Sequence, residues 1–224
     1  MNLQKMLRIS IQLGLFLGFS SAAVWATSLP QESPIVTISV FNDSGISSEI
    51  LKQAEKVSSQ VFEESGIRVD WVNCSPAEEA PSVEVACRQA AFPQHLHLRI
   101  MRRSLNLKDS ILGVSYLSTD GSGFQADIFY EGIEKLHRKT FLHPAIILGH
   151  VAAHEIGHLL LGSNSHSPWG IMRPHWNMEE LARANKRWLL FTKSQSRRMT
   201  EKLCVAMAGG KWPSASGTEV SAEN

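Results

Sequence analysis

The stretch His154-Glu155-Ile156-Gly157-His158-Leu159-Leu160-Leu161-Gly162-Ser163-Asn164-Ser165-His166-Ser167-Pro168-Trp169-Gly170-Ile171-Met172 decides how the rest of the chain is read. Its first eight residues close a strongly apolar segment that Pro144 opens and Gly162 stops. Proline in the first turn and glycine just past the last predict a helix over 144–161. On that helix His154 and His158, four apart, lie one above the other on one face, so both imidazoles can reach a single ion. Glu155, beside the first histidine, projects toward a water on the ion's open side. This is the HExxH arrangement, in which a metal lowers the pKa of water and the glutamate takes its proton. A tetrahedral catalytic zinc needs a third protein ligand and one open position. Gly162 lets the chain turn back, His166 follows eight residues after His158, and the tight turn Ser167–Met172 places a methionine just beyond.

A histidine pair, a glycine break, a third histidine and a turn with methionine resemble the metzincin metallopeptidases. The resemblance implies an α+β, zincin-like fold. A twisted mixed sheet would hold its edge strand above the cleft, with the active-site helix beneath and a small helical part at the C-terminus. It implies one catalytic Zn2+ held by His154, His158 and His166, Glu155 as general base, and Met172 as the hydrophobic floor under the metal. It also implies an activity, that of a zinc metalloendopeptidase acting on peptides or proteins. The spacing here is HExxHxxxGxxxH rather than HExxHxxGxxH, with Asn164, a poor zinc ligand, at the usual third-ligand place. That departure points to a divergent branch. A gluzincin-type site is the competing reading, with Glu179 or Glu180 on a later helix as third ligand; Glu179 lies 21 residues after His158. A noncatalytic secreted zinc-binding module that keeps the fold is the rival from another class, and an intact Glu155 argues against it.

Outward from the motif, the other elements read as strands first and helices after, an α+β order. Ile35–Phe41 alternates apolar and polar residues and reads as a strand. Ser47 or Ser48 caps a helix running to about Glu64, and Ile67–Val72 follows as a second strand, so a parallel pair with a crossing helix is expected. Cys74–Cys87 reads as a polar, proline-containing excursion. His95–Met101 is a third strand, and Gly113–Ser118 with Gln125–Tyr130 make a hairpin around a turn-rich connection. Further helices are predicted around 132–139, over 177–188, and from a Thr192/Gln195 capping box to about Gly209.

The remaining histidines carry blander expectations. His150 is a packed histidine or a neighbour that supports a ligand. His143 flanks a helix start, His95 and His97 share a strand face, and His137 has no nameable partner. Arg173 or His175 could donate to an oxyanion, and Trp169 could wall a cleft.

Composition sets the outer bounds. The chain has 224 residues, 43% hydrophobic, with 22 Lys+Arg against 21 Asp+Glu. A formal charge of +1 gives no electrostatic reason to expect nucleic acid or an anionic membrane as partner. Lys5 and Arg8, an apolar run and Val24-Trp25-Ala26 read as a signal peptide over 1–26, an uncleaved anchor being the alternative. A secreted or periplasmic protein is therefore expected, with no stable membrane span after cleavage. A single metzincin-like catalytic domain over 27–210 and a flexible tail over 211–224 are expected to follow. In an oxidising compartment Cys74 and Cys87 are the natural pair, leaving Cys204 over. Oligomeric state is not written in these features.

Overall fold

The computed structural model describes residues 33–74, 81–103 and 111–210, the side chains of 81–84 excepted. The chain divides into two units, Met1–Glu32 and Ser33–Asn224. The expected signal peptide and tail lie outside the described residues, as does part of the Cys74–Cys87 excursion.

Strand β1 (Ile35–Asn42) buries Val36, Ile38 and Val40 on one side, as its alternation requires. Helix α1 (Ser48–Glu63) starts where the Ser47 side chain accepts from the Ile50 N–H, and it buries Leu51, Ala54, Val57, Val61 and Phe62. Strand β2 (Arg68–Cys74) returns parallel to β1, from Ile35 opposite Arg68 to Phe41 opposite Cys74. The expected strand–helix–strand unit is thus formed. Helix α2 (Pro81–Arg88) lies inside what the sequence presented as an irregular excursion, and the Cys74–Cys87 disulfide ties it to the end of β2. Eight residues of mixed polarity gave too short a pattern to read as a helix.

Strand β3 (His95–Met101) pairs parallel on the other side of β1, with Thr37 opposite His95. Strands β4 (Gly113–Tyr116) and β5 (Gln125–Phe129) are antiparallel to each other, and β5 is parallel to β3. The five strands run in the order β2-β1-β3-β5-β4, which leaves the short β4 as an edge. Helices α3 (Tyr130–Thr140), α4 (Pro144–Leu161), α5 (Met178–Asn185) and α6 (Lys193–Met207) complete an α+β fold on a mixed sheet. The helix expected to reach residue 188 stops at Asn185 because the chain turns left-handed at Arg187 (φ 61°). There the Trp188 N–H folds back onto the Arg183 carbonyl at 2.8 Å.

The core sits between one face of the sheet and the helices α1 and α4. Val36, Ile38, Leu96, Leu98 and Ile128 meet Phe62, Ile147, Leu148, Ile156 and Leu160 there. Helix α4 is apolar nearly all round because the fold covers nearly all of it: by length and composition it would pass for a membrane span, yet 89% of it is buried inside the protein. The histidines and glutamate of the motif therefore sit on a helix that has little freedom to move.

Candidate metal centre

Two local devices aim the histidine pair. Gly162 caps α4 in the left-handed region (φ 65°), where a side chain is disfavoured. The chain reverses there, which brings the Ser163 carbonyl 2.8 Å from His158 Nδ1. Further on, the turn before Met172 brings the Ile171 carbonyl 2.7 Å from His154 Nδ1. A carbonyl only accepts, so each Nδ1 carries the proton and each Nε2 presents a bare lone pair. Those two Nε2 atoms stand 3.1 Å apart. Burial, first of all, holds both rings neutral, pushing His154 down to about 3 and His158 down to about 4. Two lone pairs that close repel unless a cation lies between them. Around a tetrahedral ion with metal–nitrogen bonds of about 2.0–2.1 Å the nitrogens stand roughly 3.3 Å apart, so this donor pair fits such an ion.

His166 completes the group: its ligand atom and those of His154 and His158 all lie within 4.8 Å of one another, on two buried rings and one exposed ring. Its ring centroid is 5.4 Å from that of His154 and 4.9 Å from that of His158. Of the two residues added to the spacing, one lies in the last turn of α4 before Gly162 and the other in the loop from Gly162 to His166. Three neutral imidazoles, two of them oriented by backbone carbonyls, are a donor set suited to zinc.

Glu155 lies on the same helix with its side chain turned to the edge strand. Ser115 of β4 donates its hydroxyl to Glu155 Oε2 at 2.7 Å. Burial pushes the Glu155 carboxyl up to about 7, against the opposing effect of that hydrogen bond. Met172 is fully buried, with its Sδ close to Gly157 of α4. Gly157 makes its approach possible: a Cβ there would lie 2.6 Å from Phe191 Cε1 and 2.9 Å from Met172 Sδ. The turn itself is pinned by Ser167 N–H to Met172 O (2.9 Å) and Ile171 N–H to Leu190 O (2.9 Å).

The other candidates are placed elsewhere. Glu179 pairs with Arg183 at 2.6 Å, and Glu180, buried, holds Arg173 at 2.6 Å while accepting from the Asn177 N–H in a capping box. Both carboxylates are thus engaged away from the histidines, and among the described residues only the three histidines form a metal-ligating group. Asn164 is exposed, Arg173 is committed to Glu180, and charge on His166 is disfavoured by burial first and by nearby His175 second. Trp169 is 64% exposed beside the turn.

Three residues at this centre escaped sequence reading. Ser115 and Gly113 belong to a four-residue strand without a motif of its own. Trp176 donates its Nε1–H to the Ile171 carbonyl at 3.1 Å, the same oxygen that orients His154, and its ring packs 6.0 Å from that histidine. A tryptophan four residues past a methionine turn carries no sequence signal for that task.

An α+β fold with three converging histidines and a neighbouring glutamate on its core helix defines a candidate mononuclear metal site. No protein-family model matches the chain, and no curated protein matches it. Among solved structures it is similar to a zinc-dependent peptidase from Methanocorpusculum labreanum (strain Z), at 16% identity over 72% of this chain and 99% of that one, TM-score 0.48. It is also similar to archaemetzincin from Methanopyrus kandleri, at 12% identity over 79% of this chain and 99% of that one, TM-score 0.46. A third is metalloproteinase-II from Bacteroides fragilis, at 11% identity over 78% of this chain and 54% of that one, TM-score 0.45.

Proposed function

We propose that this chain is a zinc-dependent peptidase of metzincin-like type, with His154, His158 and His166 as the metal ligands and Glu155 as the general base. The observation that carries the reading is the facing of two unprotonated Nε2 atoms at 3.1 Å, each fixed by a carbonyl on its other nitrogen. Such a pair is suited to hold a cation, and a third histidine lies beside it. When bound, zinc supplies Lewis acidity, making water more acidic and a carbonyl more electrophilic. Glu155 takes the proton from the water that attacks the scissile carbonyl and returns it to the leaving amine. Strand β4, an edge of the sheet among the described residues, is the strand beside which an extended peptide would pair. The leader-like residues 1–26 and the Cys74–Cys87 disulfide support a secreted or periplasmic site of action.

The test is metal content and hydrolysis in one preparation. Purified protein is expected to carry one zinc per chain and to cleave unstructured polypeptide, and its first residue is expected to be Thr27. Glu155→Gln should keep the zinc and lose at least about 100-fold in turnover, the range of general acid–base catalysis. Protein without zinc, or a Glu155→Gln variant that hydrolyses as before, overturns the reading. Zinc-loaded protein that cleaves nothing would instead identify a noncatalytic zinc module.

A further inference from the structure

We propose that Gly113 and Ser115 of the edge strand form a cradle that fixes the carboxylate of Glu155, with Ser115 as a positioning residue for the general base. The inference rests on the peptidase reading above and adds a part of the machinery that the histidine motif does not contain. Alternate residues of a strand share a face, and Gly113 and Ser115 both face helix α4, while Tyr116 turns away to bond Asp127 at 2.8 Å. Ser115 is buried, with its Oγ 2.7 Å from Glu155 Oε2 and 2.8 Å from the Glu155 carbonyl oxygen. One hydroxyl thus reaches both ends of the same residue.

Gly113 supplies the opposite wall. A Cβ there would lie 2.7 Å from both Cγ and Oε1 of Glu155, a separation at which the glutamate side chain would have to shift. The carboxylate therefore occupies the space that any other side chain at 113 would fill. It is held on one oxygen by the serine and packed along the other against bare backbone. The backbone in question is itself fixed, with Gly113 opposite Ile128 and Ser115 opposite Ala126 across the β4–β5 ladder. A glutamate has three side-chain torsions to lose, and a base misplaced by about 1 Å can cost about 100-fold in rate. The cradle references Glu155 to the sheet as well as to its own helix, so the strand that would receive a peptide also sets the base's position.

The experiment uses the full zinc-loaded protein with Ser115→Ala and Ser115→Thr. Alanine should lower kcat by about 10- to 100-fold with KM within twofold and zinc content unchanged; threonine, which keeps the hydroxyl, should restore kcat to within about threefold. A second readout needs no activity. In metal-free protein, Ser115→Ala should lower the denaturation midpoint clearly more in the presence of Glu155 than in a Glu155→Ala background, where only the bond to the residue-155 carbonyl is left to lose. An equal shift in both backgrounds would mean that Ser115 serves only the backbone carbonyl, and a threonine variant as slow as alanine would exclude the hydroxyl. Either result overturns the proposal. Should the protein bind zinc and cleave no peptide, the peptidase reading fails while the stability cycle still decides the cradle.

Discussion

Gly157, the fourth letter of the HExxH segment, is where a single atom decides the packing under the site. Phe191 and Met172 press against α4 so closely that a methyl group at 157 would overlap both. Gly157→Ala should therefore destabilise the fold by about 1–3 kcal/mol through overpacking, in spite of alanine's better helix propensity, and should weaken zinc retention. Chemical denaturation checks the first effect, and a gain in stability would show that the floor can yield. The histidines divide at the same scale. His154 and His158 were legible because their spacing on a helix leaves little else for them to do. Several of the others take structural places. His143 caps α4 by accepting from the Ala145 N–H, His137 Nδ1 meets the Leu142 carbonyl at 2.9 Å, and His95 meets the buried Ser39 hydroxyl at 2.8 Å. His150, fully buried, lies edge-on to Trp176 and so packs behind the residue that steadies His154. The His95–Ser39 and His150–Trp176 contacts join residues that only the finished fold makes neighbours, whereas those of His143 and His137 are local to the ends of their helices.

At the scale of elements, strands β1, β2 and β3 and helices α1, α4 and α6 were readable because alternation, caps and a glycine stop all agreed. Helix α2 was not, and neither was the side-chain traffic between β4 and α4, which depends on register rather than composition. Helix α6 carries a further case. Lys202 is buried with its Nζ 4.2 Å over the Phe92 ring and close to the capping turn at Gly162. Burial pushes its pKa down to about 8 from the ordinary 10.5; Arg198 adds to the effect and Asp120 opposes it. Between these values the unfolded chain keeps a proton that the folded chain has released. Lys202 should therefore add stability as pH rises from about 8 to 10.5, at a slope no steeper than about 1.4 kcal/mol per pH unit. Lys202→Met should flatten that part of the stability–pH curve and raise stability at pH 7. Denaturation midpoints across the window test this, and an unchanged slope in the variant would assign the dependence to other groups.

On the scale of the whole molecule, the disulfide and the proposed metal site lie at opposite edges of one sheet. The Cys74–Cys87 disulfide fastens β2, and the proposed metal site with its glutamate lies against β4, four strand spacings away in the order β2-β1-β3-β5-β4. At about 4.8 Å per spacing that is roughly 19 Å, beyond the range at which substitutions usually couple. The two contributions should therefore add. A metal that binds only the folded chain stabilises it by about 2.7 kcal/mol at a hundredfold excess over its dissociation constant. Opening a disulfide that closes a loop of this size costs about 3 kcal/mol. Four unfolding curves decide the matter: native protein and a Cys74→Ser/Cys87→Ser variant, each with zinc and after chelation. The loss on chelation should be the same in both proteins to within about 0.5 kcal/mol. A larger loss in the variant would mean that the β2 edge helps to hold the site together through the sheet. The shared core of Val36, Leu96, Ile128 and Ile156 would then transmit strain rather than isolate it, since those side chains bridge the strands between the two edges and the face of α4.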